Sequence, residues 1–350
     1  MAGLNAEDLN TEASNPTELP MALPPPFDTL RLPAVGAPLF IISNPDLLIA
    51  QCKAGIVGAF PTLNAREEDG QPIMLEAWLT RIKEELDRYN QANPDTPAAP
   101  YAANLIVHRS NVRLERDLEI CVRHEVPLYI TSLGAREEVY EAAHTYGAIV
   151  LHDVINNTFA RKAISKGADG LIAVAAGAGG HAGAMSPFAL VQEIRSWFDG
   201  PLLLSGSIAT GDAILAAQAM GADLAYIGSA FIATREANAD ARYKQMIVDG
   251  SADDIVYSNY FTGVHGNYLK PSIAAQGLDP ENLPESDKSA MNFSSGQSKP
   301  KSWKEIWGSG QGIDAVKAVV PAAELVERLK REYAAARARL GLAPVARAAE

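Results

Sequence analysis

The sequence predicts a (β/α)8 barrel, and three observations carry the prediction. Eight short apolar runs recur between residues 39 and 227. Amphipathic stretches of helical period separate them, and several runs are followed directly by reactive or glycine-rich residues, the kind such barrels carry at the C-terminal ends of their strands. An open doubly wound sheet is the competing arrangement, but eight strand–helix units in about 200 residues match closure better.

The runs are 39–42, 56–60, 103–107, 127–130, 148–151, 170–174, 201–204 and 224–227. The helices between them have readable faces. Leu75, Trp78, Leu79, Ile82, Leu86 and Tyr89 recur at spacings of three and four, which lays one apolar stripe against a sheet. Thr210 is placed to cap a helix running to Met220, and Gly221 to end it in the left-handed conformation. Beyond the eighth run the rhythm breaks. A short helical stretch at 241–248 leads into a segment rich in Gly, Pro, Ser and Asn that carries Tyr257, Tyr260, Phe261 and Tyr268, read as an irregular insertion. The chain returns through Trp303 and Trp307 to the turn Gly308-Ser309-Gly310-Gln311-Gly312, and a last helix presents Leu325, Leu329, Tyr333 and Leu340 on one face. The expected organisation is an extended arm over 1–34, a barrel over 35–237 and 301–350, and an inserted lid or substrate subdomain over 238–300.

Composition narrows the partners. The 350 residues hold 30 Lys and Arg against 42 Asp and Glu, a net charge of −12, so no broad positive field exists to collect nucleic acid or anionic lipid. No run approaches the ~18 apolar residues of a membrane helix, and the N-terminal arm has neither a basic start nor an apolar core. Cys52 and Cys121 each sit in an apolar pattern and cannot form a disulfide framework, so a reducing cytoplasm is the expected compartment. A homodimer is the assembly that base rates favour.

Chemistry is expected after the strands. His108 follows the third run, His152-Asp153 the fifth, and the sixth enters Ala175-Ala176-Gly177-Ala178-Gly179-Gly180-His181-Ala182-Gly183. Glycines on both sides of His181 let the backbone approach a flat ligand, and the imidazole supplies the one proton-transfer group of that loop. The plainer reading is a histidine in a flexible surface loop. His108 and His152 read equally well as side chains that hydrogen-bond neighbouring loops, with Asp153 orienting one of them. At the seventh and eighth runs, Ser205-Gly206-Ser207-Ile208-Ala209 and Gly228-Ser229-Ala230 expose backbone N–H groups and hydroxyls where barrels bind phosphate, unless they are ordinary tight turns. Lys162 is either an added cation or a solvated helix lysine. Tyr257, Tyr260, Phe261 and Tyr268 are either a water-excluding lid or the insertion's own core.

These residues together resemble the nitronate monooxygenases, formerly 2-nitropropane dioxygenases, which are FMN-containing barrels related to flavin-dependent enoyl-ACP reductases. The resemblance covers about residues 35–235, and 303–312 less closely. It rests on Ala178-Gly179-Gly180-His181-Ala182-Gly183, on Ser205-Gly206-Ser207-Ile208, on Gly221-Ala222-Asp223 and on the run from Gly228 to Thr234. It implies His181 as the catalytic histidine, with Gly179 and Gly180 beside the flavin and Gly206, Ser207, Gly228 and Ser229 at the FMN phosphate. It further implies Pro38, Leu39 and Phe40 along the isoalloxazine, and Lys162 as the family's lysine. Substrate or lid candidates are His108, His152, Tyr257 and Phe261; no metal is implied. The implied reaction converts an alkyl nitronate, or a nitroalkane whose α proton His181 first removes, with O2 to a carbonyl compound and nitrite. Departures concern the substrate more than the flavin: Pro38-Leu39-Phe40-Ile41-Ile42-Ser43 replaces the common Pro-Met-Ala type of turn, and His152-Asp153 ends strand five. The alternatives are an FMN-dependent NAD(P)H reductase of enoyl thioesters or quinones, a metal-dependent hydrolase built on His108, His152, Asp153 and His181, and a non-catalytic flavin-binding protein.

Overall fold

In a computed structural model, which describes residues 25–286 and 305–342, eight parallel strands close into a barrel. In chain order they are β1 (Ala34–Gly36), β2 (Gly58–Pro61), β3 (Tyr101–Ile106), β4 (Leu128–Ser132), β5 (Ile149–Val154), β6 (Gly170–Val174), then, after the short β7 (Gly180–His181), β8 (Leu202–Ser205) and β9 (Leu224–Ile227). Each pairs with its neighbour in parallel from β2 round to β9, and β9 pairs with β1. A parallel bridge between Val35 and Val57 closes the ring, with Gly36 N–H donating to the Val57 carbonyl at 2.8 Å.

Alternation along each strand sorts side chains into two cores. Leu128, Ile130, Leu151, Ile172, Leu203 and Leu224 fill the barrel interior. Their neighbours face a much larger outer core beneath the helices, among them α1 (Pro45–Ala54), α2 (Ile73–Ala92), α3 (Leu114–Arg123), α4 (Glu137–His144), α5 (Asn157–Ser165), α6 (Pro187–Arg195) and α7 (Gly211–Met220). In α2 the predicted stripe is buried at Leu75, Leu79, Ile82 and Leu86. Thr210 caps α7 by accepting the Ala213 N–H at 3.2 Å, and Gly221 ends it at φ 111°. Both cysteines are buried and unbridged, and among the described residues no helix is long and apolar enough to cross a membrane.

Two expectations change. The run 39–42 is not strand one: the strand is the short segment Ala34–Gly36, and 39–42 forms the turn beyond its C-terminal end. Asn64 enforces the turn by accepting from Ile41 N–H at 2.8 Å and donating to the carbonyls of Leu39 at 3.0 Å and Ser43 at 2.8 Å, which holds Ile41 at φ 69°. Nor is the segment after the barrel irregular throughout. Following α8 (Ser229–Ile232) and α9 (Ala241–Asp249), β10 (Ile255–Ser258) and β11 (Gly266–Leu269) form an antiparallel hairpin, and β11 pairs on its other side with β7. After α10 (Lys270–Ala274), residues 287–304, Trp303 among them, fall outside the described part.

The last helix, α11 (Ala322–Arg339), packs on α1 and α7; Leu340 lies past its end and is exposed. The approach to α7 is close. A Cβ on Gly211 would stand 2.0 Å from Tyr333 N and 2.5 Å from Leu329 O, while the Gly211 N–H donates to Glu332 at 2.9 Å. Gly211→Ala must therefore push α11 off the barrel, at a cost of about 1–3 kcal/mol typical of overpacking. The melting temperature is expected to fall by several degrees; an unchanged melting curve would refute the packing argument.

Candidate functional site

The site lies at the C-terminal ends of the strands, where three glycine-rich segments meet. After β6 the chain runs through Gly177 and Gly179 into β7, so that His181 pairs with Gly266 and Gly180 with Asn267. The hairpin can lie this close because residue 266 has no side chain; a Cβ there would sit 2.7 Å from the Gly180 carbonyl. Asn267 reaches across β7 and donates to the Ala178 carbonyl at 2.7 Å. On the far side of β11, Trp307 and Ser309 bond to Leu269 and Asn267, which leads the turn 308–312 over the same glycines. There Gln311 N–H donates to the Gly177 carbonyl at 2.9 Å, and Gly310 N–H to Ser229 Oγ at 2.8 Å. Tyr243 stacks on Trp307 at 4.8 Å and donates to the Gly308 carbonyl, which pins the turn from α9.

His181 is half-buried in this junction, and its Nε2 lies 3.1 Å from Thr262 Oγ1. The Thr262 hydroxyl also lies 3.0 Å from the Val264 carbonyl; when it donates there it accepts from an Nε2–H imidazole. Burial depresses the imidazole pKa to about 4, so the ring is neutral at pH 7. Tyr257, from the hairpin, donates to the Ala182 carbonyl at 3.0 Å and stacks on His265 at 4.9 Å, covering the segment next to His181.

The loops after β8 and β9 lie beside this junction. Gly177, at φ 83°, touches them: a Cβ there would be 2.2 Å from Ser207 Oγ, which leaves glycine as the residue that fits. Ser207 is exposed, and Gly228 and Ser229 are half-buried. A Cβ on Gly228 would lie 3.4 Å from Leu39 and 3.6 Å from Ala37, so the turn after β1 flanks the β9 loop as a wall, with Phe40 45% exposed. Small residues, hydroxyls and backbone N–H groups beside an apolar wall suit a flat ring with an anionic tail.

Several expected site residues lie elsewhere. Lys162 is exposed on the last turn of α5, away from the strand ends at which that helix starts, so it cannot serve a phosphate there. His152 faces outward from β5 against α4, its Nδ1 2.7 Å from Thr131 Oγ1 and 3.1 Å from the Tyr140 hydroxyl. Because its neighbour Asp153 faces inward, the two cannot join His108 and His181 as one metal-ligand set; among the described residues no three such side chains cluster. His108 sits on the loop after β3 and engages Ser110 at 2.8 Å. Phe261 is buried with Tyr268, Ile273 and Ile306 in a small separate core rather than exposed on a lid surface. Conversely, Thr262 and Asn267 carry no sequence signal, because neither follows a barrel strand and only tertiary pairing brings them in.

Residues 68–332 match the family model of nitronate monooxygenase. The chain belongs to the nitronate monooxygenase family. It is accordingly a flavin-dependent oxidoreductase. Curated nitronate monooxygenases from Paraburkholderia phytofirmans and Neurospora crassa are 24% and 25% identical to it; the alignments cover 86% and 87% of this chain and 92% and 90% of theirs. Among solved structures, a nitroalkane oxidase from Streptomyces ansochromogenes superposes with TM-score 0.73 at 23% identity, over 89% of this chain and 99% of the other. FabK from Thermotoga maritima does so with TM-score 0.69 at 19% identity, over 89% and 96%. At these identities the two structures speak for the barrel alone.

The outward place of His152 in this nitronate monooxygenase barrel has a consequence for stability. Burial lowers its pKa from 6.5 to about 4, so between those values the unfolded chain binds the proton more tightly, and stability present above pH 6.5 is lost as the pH falls through that window. His152→Gln removes that loss, worth on the order of 3 kcal/mol. Urea unfolding at pH 7 and pH 4.5 is expected to show a smaller acid loss in the variant than in the parent; equal losses would contradict the burial of a neutral imidazole.

Proposed function

We propose that this chain binds FMN at the mouth of its barrel and oxidises alkyl nitronates with O2 to a carbonyl compound and nitrite. The observation that carries the reading is His181: a neutral imidazole met by the Thr262 hydroxyl, on a glycine segment beside two phosphate-type loops. FMN, when bound, supplies the electron acceptor and the means of passing electrons to O2. Gly206, Ser207, Gly228 and Ser229 would hold its phosphate with N–H groups and hydroxyls. Gly179 and Gly180 would leave room for the ring, with Pro38, Leu39 and Phe40 along one side.

The protein's part is charge control. An entering nitronate is an anion, and its field raises the proton affinity of a nearby imidazole. The ring takes up a proton, and the imidazolium holds the anion in place. The described part of the insertion acts as the lid, since Tyr257 secures the backbone at Ala182 and Thr262 meets the His181 ring.

His181→Asn is the direct test. The purified variant is expected to keep its yellow flavin while kcat/KM for ethyl nitronate falls roughly 100-fold or more, the range of a lost proton-handling group. Oxidation at the parent rate would sink the assignment. Anaerobic mixing with NADH separates the reductase alternative, in which the flavin would bleach at a catalytically useful rate.

A further inference from the structure

Tyr268 stands behind the contact between Thr262 and His181, and its hydroxyl is the part that apolar packing does not explain. The ring is fully buried with Phe261, Ile273 and Ile306, Phe261 lying edge-on at 4.9 Å. A phenylalanine would fill that pocket as well, whereas a buried hydroxyl costs stability unless it is hydrogen-bonded. The phenol oxygen points toward the site. Residues 266 and 268 share a face of β11, and a Cβ on Gly266, which pairs with His181, would lie 3.2 Å from the Tyr268 hydroxyl. There Tyr268 hydrogen-bonds the Thr262 side chain, the same hydroxyl that lies 3.1 Å from His181 Nε2.

The three side chains form a row from the small core to the imidazole: phenol, hydroxyl, ring. The backbone contacts of Thr262 tie its hydroxyl to its own loop. The oxygen lies 3.0 Å from the Val264 carbonyl and 3.3 Å from the Val264 N–H, and the Gly263 N–H closes the same loop on the Asn259 carbonyl at 2.9 Å. Those bonds do not reach the strand that holds the histidine. Tyr268 does, because it belongs to β11, which sets Gly266 against His181 and Asn267 against Gly180, and its backbone also bridges to Gly308. A hydroxyl with one hydrogen and two lone pairs can accept from the phenol whether its own hydrogen lies on the Val264 carbonyl or on the imidazole. The phenol therefore keeps the Thr262 oxygen against the ring through a change in the protonation of His181.

We propose that Tyr268 is a positioning residue for His181 that acts through Thr262: its phenol sets where the Thr262 hydroxyl stands, and so which ring nitrogen of His181 carries the proton. This rests on the reading of His181 as the proton-handling group of nitronate oxidation given above. Tyr268 is fully buried, so it acts on the reaction through this row of contacts and not by meeting the substrate. A tyrosine that served packing alone would leave His181 indifferent to its hydroxyl.

The experiment is a double-mutant cycle on the flavin-loaded full chain, which separates a coupled pair from two independent effects. It compares Tyr268→Phe, Thr262→Val and the two together, with two readouts: the ring 15N signals of His181 at pH 7, and kcat for ethyl nitronate. Tyr268→Phe is expected to replace the single Nε2–H pattern with a mixture of tautomers and to lower kcat roughly 10-fold, the worth of one hydrogen bond, with flavin retained. Thr262→Val is expected to do the same, and adding Tyr268→Phe to it to change neither readout further. Thr262→Ser, which keeps the hydroxyl, is expected to restore the single pattern. Two results would overturn the proposal: a parental His181 signal in Tyr268→Phe, or a loss of kcat by the same factor with and without Thr262. If Tyr268→Phe does not retain flavin, 3-fluorotyrosine placed at position 268 carries the test. Its more acidic phenol is expected to move the His181 signals in the parent background and not in Thr262→Val; movement in both, or in neither, would overturn the proposal. Failure of the parent to oxidise ethyl nitronate would refute the nitronate reading instead, and the NMR comparison would still decide the role of Tyr268.

Discussion

Everything at the mouth of this barrel depends on the close approach of three backbone segments: Gly177–His181, the β11 strand Gly266–Leu269, and the turn from Trp307 to Gly312. Each contact excludes a side chain. A Cβ at 266 would collide with the Gly180 carbonyl and one at 310 with the Gly177 carbonyl at 2.5 Å, so the segments interlock only as glycines. The interlock converts a loop that would be mobile in isolation into a two-residue strand with a fixed partner, and so gives His181 a defined direction. Without the hairpin, Thr262 would not be there to meet the imidazole.

The same junction explains how an acidic protein can handle anions. With a net charge of −12, the global field opposes both a phosphate and a nitronate. The donors around His181 are accordingly uncharged: backbone N–H groups, Ser207, Ser229 and a neutral imidazole. On the proposed reading, positive charge is created there only when a ligand brings it, through proton uptake at His181. Low dielectric strengthens that local attraction while the distant surface carboxylates are screened by solvent.

The barrel was legible in the sequence because burial on both faces of parallel strands writes continuous apolar runs, which is how β6 and β9 match their predicted bounds. Strand one was not. Its residues Ala34–Gly36 are small and few, and the more apolar turn 39–42 outweighed them although Asn64 bends it. His181 and its glycines stand out in the sequence because the candidate site sits on a local segment with a characteristic composition. His152 misled for the converse reason: strand-end position gives proximity to the mouth but not direction, and one step of alternation sends it to α4. Thr262 and Asn267 carry no local signal, since their roles exist only through pairing between segments about 80 to 90 residues apart.

The central claim is that the mouth holds His181 as a neutral Nε2–H imidazole. It is tested most directly by 15N NMR of protein labelled at the histidine ring nitrogens, with His181→Asn used to assign the signal. The account predicts an Nε2–H pattern at pH 7 that persists on acidification until about pH 4. A ring that titrates near 6.5, or that carries its proton on Nδ1 at neutral pH, would contradict it.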